Sequence, residues 1–78
     1  MKVKITKPDS ILFDCEAKLV QLPGTGGLFE ILNSHAPIIS SLQHGTIRLV
    51  KDNDEEETVE IRGGVVKSQN NELLILVQ

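Results

Sequence analysis

Apolar and polar side chains alternate with a period of two through most of the chain. Residues 2–7 put Val3 and Ile5 on one face between lysines, the pattern of a half-buried strand. Pro8-Asp9-Ser10 follows as a turn, because Pro presets one dihedral and Asp can bond its own backbone. Residues 11–22 then predict a long strand, in which Phe13, Cys15, Ala17 and Leu19 alternate with Asp14, Glu16 and Lys18. Val20 and Leu22 fall on the opposite parity. A strand changes parity by inserting a residue, so a β-bulge is predicted near Val20.

Pro23-Gly24-Thr25-Gly26-Gly27 interrupts the alternation. Three glycines in four positions predict backbone angles that a Cβ would forbid. Short strands are predicted at residues 28–32, 38–42, 46–50, 57–62 and 65–68, with turns at Asn33-Ser34-His35-Ala36-Pro37 and Gln43-His44-Gly45. Ile47 and Leu49, then Val59 and Ile61, are inward candidates. Asn70-Asn71 suits a two-residue hairpin turn with positive φ. Residues 73–77 are apolar on both parities, which predicts a central strand. The nearest approach to a helical period is residues 36–42, and Pro37 with two adjacent Ile weakens it. Eight or nine short strands between closely spaced turns predict an all-β sandwich or barrel. Residues 52–57 are the one charge run.

At 78 residues the chain is one domain, residues 1–78. A single cysteine excludes an internal disulfide. With no apolar segment behind the N-terminus, it fits a reducing cytosolic compartment. The longest apolar run, residues 73–77, is far too short to span a bilayer, so any membrane association goes through a partner. Net charge is −3, Trp and Tyr are absent, and there are two Phe. Nucleic-acid binding needs clustered Lys and Arg with stacking aromatics. The eight basic residues here are scattered.

The chemical motifs fail one by one. A phosphate loop needs Lys and Ser or Thr after its last glycine, and Leu28-Phe29 stands there. An EF-hand loop starting at Asp52 needs Gly sixth and Glu twelfth, where Glu57 and Gly63 stand. That run reads as a solvated hairpin tip whose charges protect a strand edge. His35, His44 and Cys15 lack metal-ligand spacing. Cys15 sits between Asp14 and Glu16 in an apolar row, so it is a small buried hydrophobe rather than a nucleophile. The residues give no catalytic, cofactor or metal site.

One stretch points to a family: Leu22-Pro23-Gly24-Thr25-Gly26-Gly27-Leu28-Phe29-Glu30-Ile31-Leu32-Asn33-Ser34-His35-Ala36-Pro37. It resembles the signature of the F-type ATP synthase epsilon subunit, called delta in mitochondria. The ordered likeness continues through Ile38, Ile39, Leu42, Gly45, Gly63-Gly64 and Asn70-Asn71, and includes Phe13-Asp14. The chain departs from the pattern in three places. Glu30 stands where Gly is frequent, and Asn33-Ser34 where Pro-Gly is. Leu28 stands where many relatives carry an acidic residue. The chain also stops where relatives commonly continue into a helical domain. A native-looking start without tag or linker favours a naturally short form over a truncated one. Inhibition of ATP hydrolysis and ATP sensing reside in those helices and are not carried over.

The resemblance implies a flattened antiparallel β-sandwich of about ten short strands. It implies a non-catalytic rotor part at the foot of the central stalk, without cofactor or metal. That part couples proton translocation to ATP synthesis on the cytoplasmic face of the inner (plasma) membrane, peripheral and not inserted. Its expected partners are the gamma subunit and the c-ring loops, with an indirect relation to the alpha and beta catalytic subunits. His35, Ala36, Pro37, Ile38 and Ile39 are the candidate gamma-facing residues. Gly24, Thr25, Gly26, Gly27 and Leu28 are the candidate ring contact. Gly63 and Gly64 are expected to serve backbone conformation. Two interfaces on so small a body predict an exposed apolar patch. The rival readings are a lipoyl- or biotinyl-type carrier domain with Lys51 near a turn, a small enzyme or ligand-binding barrel, and a generic β-sandwich interaction module.

Overall fold

The computed structural model describes residues 1–33 and 36–78. Among them are eight strands and no helix: β1 (Lys2–Lys7), β2 (Ser10–Gly24), β3 (Gly27–Leu32), β4 (Ile38–Leu42), β5 (Gly45–Lys51), β6 (Glu56–Ile61), β7 (Gly64–Gln69) and β8 (Glu72–Val77). Strand β2 organises the rest. Its first half, residues 10–16, pairs with β1. Its second half pairs with β3 from Leu19 to Gly24 and with β5 from Ala17 to Gln21. One layer therefore holds β3, the second half of β2, β5 and β6. The other holds the first half of β2, β1, β8, β7 and β4. Gly24 pairs with Leu42 and closes β4 onto β2.

The all-β sandwich expected from the alternation is what forms. Two details differ. There are eight strands among the described residues instead of about ten, because β2 runs unbroken through both layers for 15 residues. The sheet is mixed, because β1 and β8 pair parallel. No hairpin joins those two strands, so no tight turn dictates their direction.

The expected bulge is present, slightly ahead of Val20. Ala17 pairs with Lys51 and Leu19 with Val50, leaving Lys18 as the extra residue. Ala17 and Val20 consequently both point inward and are fully buried. Where no residue is inserted, strict alternation fills the core: Val3 and Ile5, Ile47 and Leu49, and Leu73, Ile75 and Val77 are buried. Val59 is half-buried against them. Burying a side chain such as Ile5, Leu22, Ile47 or Ile75 stabilises by about 1.5–3 kcal/mol each. Strands β1 and β3 follow one another along β2. Near that junction the Met1 ammonium donates to Ala17 O at 2.9 Å and Asn33 Oδ1 at 2.7 Å.

The turns obey their residue chemistry unevenly. Asn70 and Asn71 have φ of 54° and 59° between paired Gln69 and Glu72, as a two-residue hairpin turn requires. In the glycine-rich turn only Gly27 takes a left-handed φ, 125°. Gly24 is needed for another reason, since a Cβ there would lie 2.7 Å from the Phe29 ring and 2.9 Å from Gly27 O. Gly26 meets neither constraint. At Gly64 a Cβ would lie 2.2 Å from Leu76 O, which backbone on a paired strand cannot relieve.

Urea denaturation separates these cases. Gly26→Ala should change stability by less than about 0.5 kcal/mol. Gly64→Ala should cost more than about 2 kcal/mol, and equal effects from the two would contradict the backbone-approach account. Asn71→Ala should cost about 1 kcal/mol, the penalty of a Cβ in the left-handed region, without changing the denaturant slope.

Candidate functional site

Every strand that fills the core on one parity presents its other parity to solvent. On the β1-β8-β7-β4 layer the registers stack these outward residues into rows. One row runs Ser41, Val65, Leu76, Thr6, Ile11, and the next runs Ile39, Lys67, Leu74, Lys4, Asp14. Ile39 is 75% exposed, Ile11 57%, Leu76 49%, Val65 43% and Leu74 38%. Five large apolar side chains thus lie on two adjacent rows. Lys4, Lys67, Asp14 and Leu74 border an open groove there, where lysine stems extend the apolar surface and keep their charges wet. This is the exposed patch that the expected interfaces require.

The two candidate sets fall in different places. Gly24, Thr25, Gly26, Gly27 and Leu28 make the β2–β3 turn and the start of β3. Gly24 is buried and the other four are exposed, Leu28 to 70%. Leu28, Glu30 and Leu32 face outward from the second layer, while Ile31 is buried and Phe29 packs on the core. Of the gamma-facing set, His35 lies outside the described residues. Ala36 and Pro37 are exposed, and Ile38 turns partly inward onto the core. Ile39 alone joins the two-row patch. Pro37, Ile38 and Ile39 also edge a shallow hollow with Lys67 and Gln69. Ile11, Val65, Leu74 and Leu76 are not among the residues the resemblance singles out, although the parity of β7 and β8 carries the signal for the last three.

Backbone and hydroxyl contacts tie the turn to β4. Gln43 N donates to Pro23 O at 2.8 Å, and Thr25 N donates to Ser41 O at 3.2 Å. The Thr25 and Ser41 hydroxyls lie 3.1 Å apart.

Charge is divided between the layers. Glu30, Asp52, Asp54, Glu55, Glu56, Glu57 and Glu60 share the β3-β5-β6 layer and its hairpin tip with Lys18, Arg48, Lys51 and Arg62. Seven acidic against four basic groups account for the whole net charge of −3. Arg48 bridges Glu56 at 2.8 Å and Glu30 at 3.9 Å, and Lys18 pairs with Asp54. Exposed pairs of this kind add little stability. The other layer balances Lys2, Lys4, Lys7 and Lys67 against Asp9, Asp14, Glu16 and Glu72, so its apolar patch sits in a neutral field.

The rival chemistries find little support. Among the described residues no three His, Cys, Asp or Glu side chains gather as metal ligands. Burial pushes the Cys15 thiol up, Lys51 opposes this, and Asp14, Glu16 and Glu57 add to the rise, which disfavours a thiolate nucleophile. Lys51 ends β5 half-buried, with Nζ 3.3 Å from Glu57, and its N–H donates to Glu55 O. A carrier lysine must stand free at a hairpin tip, and this one does not. The tip, residues 52–55, is closed by Asn53, whose Oδ1 accepts from Glu55 N at 3.1 Å. No helix long and apolar enough to cross a membrane occurs among the described residues.

Comparison with known proteins agrees with this geometry. The family described as "ATP synthase, Delta/Epsilon chain, beta-sandwich domain" matches residues 1–78. The ATP synthase epsilon chain of Gloeothece citriformis is 39% identical over 77 residues, which cover 99% of this chain and 55% of that one. The epsilon chain of Chlorobium limicola is 32% identical over 77 residues, covering 99% and 88%. The chain thus spans about half the length of the first relative and most of the second. A chain of the Euglena gracilis mitochondrial ATP synthase, solved as OSCP/F1/c-ring in rotational state 1, superposes with a TM-score of 0.85 at 15% identity, covering 96% of this chain and 48% of that one. A chain of the Tetrahymena thermophila mitochondrial ATP synthase central stalk and c-ring gives 0.81 at 18%, covering 100% and 63%. At such identity the superpositions establish the fold. The family match over residues 1–78 places the chain in the ATP synthase delta/epsilon family, as its β-sandwich domain.

Proposed function

We propose that the chain is a non-catalytic rotor part of an F-type ATP synthase. It binds the gamma subunit through the outward face of the β1-β8-β7-β4 layer and meets the c-ring loops through the turn from Gly24 to Leu28. The observation that carries this reading is the neutral, two-row apolar face that continues from Ile39 across Val65, Leu74, Leu76 and Ile11. Soluble monomers seldom leave such a face uncovered. The structurally similar chains come from ATP synthase assemblies, both of which include a c-ring. The relatives are epsilon chains.

Size and stiffness fit the role. A standard interface takes about 800 Å² per partner, roughly one sixth of this chain's 4665 Å², so two partners leave most of its surface free. Torque transmission needs a body that does not shear, and two layers sharing one close-packed core provide it. In this reading proton flow turns the ring, and the foot formed by this chain passes the rotation to gamma. The complex sits peripherally at the cytoplasmic face of the plasma membrane, and the alpha and beta subunits are reached only indirectly. Ala36, Pro37 and Ile38 flank the gamma face, with Ile38 acting chiefly through packing.

Calorimetry and co-elution with the gamma subunit of the same organism test the face. The wild-type chain should bind one to one. Val65→Asp and Leu76→Asp should each weaken binding more than tenfold while thermal unfolding stays cooperative, since truncated apolar anchors dominate such interfaces. Leu32→Asp, on the opposite layer, should change affinity by less than about twofold. No binding by a folded wild-type chain, or equal losses on both layers, would overturn the assignment.

A further inference from the structure

The two proposed contact sites belong to different layers, yet a short seam joins them. Leu28 pairs with Pro23 on β2. Pro23 O accepts the Gln43 N–H, Gly24 pairs with Leu42, and Ser41 O accepts the Thr25 N–H. The Thr25 and Ser41 hydroxyls meet above that last bond. On the far side Ser41 pairs with Val65, at the edge of the apolar face. The seam is also tight: a Cβ on Gly45 would lie 2.7 Å from Pro23 Cβ. Gly24 leaves no room against Phe29. Glycine is thus required where the two strand ends cross, and backbone meets backbone without side-chain padding.

We infer that the Thr25–Ser41 clasp positions the β2–β3 turn relative to β4, and so links the surface that meets the ring to the surface that meets gamma. Thr25 and Ser41 are positioning residues. Each is exposed and adds little to the core, but together they restrain a turn that holds an unconstrained glycine, Gly26, at its tip. Without them the turn is held by backbone bonds alone, and a load on Leu28 is spent in bending the turn before it reaches β4. The inference rests on the rotor reading for its two partners. The clasp itself can be tested with neither present.

Amide hydrogen exchange on the chain alone comes first. In the wild type the Thr25 and Gln43 amides should be protected and the Gly26 amide should not. Thr25→Val and Ser41→Ala should each speed Thr25 exchange about fivefold, the double variant no more than either, and Thr25→Ser should restore protection, while core amides in β5 and β8 stay unchanged. A Thr25 amide as fast as Gly26 in the wild type, or variants that exchange like wild type, would overturn the clasp. In assembled ATP synthase, both variants should lower the ratio of proton pumping to ATP hydrolysis at least twofold, again rescued by Thr25→Ser. Faster exchange with unchanged coupling would overturn the positioning role. Failure of the wild-type chain to bind gamma would instead sink the rotor reading and leave the exchange result standing.

Discussion

The architecture depends on one inserted residue, Lys18, in a strand that serves two layers. Before it, β2 sends Phe13, Cys15 and Ala17 inward; after it, Val20 and Leu22 do so. Straighten the bulge with Lys18 kept in the strand, and the second half of β2 would turn Leu19 and Gln21 to the core and expose Val20 and Leu22, since a one-residue slip exchanges the faces of a strand. Strands β3 and β5 take their register from that half, and β6 from β5. One whole layer is therefore oriented by a single lysine whose own side chain reaches out to Asp54.

The two outer faces differ in charge and in apolar exposure. The acidic layer carries all of the net charge on ion pairs and a capped hairpin tip, and long-range repulsion between copies comes from there. The opposite layer is neutral and apolar. Strand β8 shows how economically this is built. Leu73, Ile75 and Val77 fill the core, while Leu74 and Leu76 furnish the open face. A partner covering that face would make β8 a strand buried on both sides.

The same strand explains what could be read in advance. Its unbroken apolar run predicted a central position, and β8 does lie between β7 and β1. The run did not reveal that one side stays open, because apolar residues on both parities look alike whether both faces are covered or only one. Alternation elsewhere gave the core directly, as at Ile47, Leu49 and Ile61, and a change of parity gave the bulge. Asn70-Asn71 gave its turn because side-chain chemistry and φ are coupled there. The glycines were harder: the sequence suggested left-handed angles at all of Gly24, Gly26 and Gly27, but only Gly27 has one, and Gly24 answers to the nearby Phe29 ring. Packing of that sort depends on strands distant in sequence, as does the parallel pairing of β1 with β8. Of the proposed gamma-facing residues, parity separates Ile39 from Ile38, a distinction that residue type alone does not make.

That parallel pairing has a consequence for how the chain is made. A ribosome delivers β1 well before β8, yet the two are immediate neighbours, and among the described residues β8 links β1 to β7 in their layer. Until Leu73, Ile75 and Val77 have left the exit tunnel, Val3 and Ile5 lack the row that covers one side of them, and Val66 lacks its partner Ile75. The β5–β6 hairpin and the second half of β2 can assemble while synthesis continues, but the layer that carries the apolar face cannot close. Its open rows are thus completed only once β8 has emerged, and the apolar outer face comes into being in the same step that finishes the core.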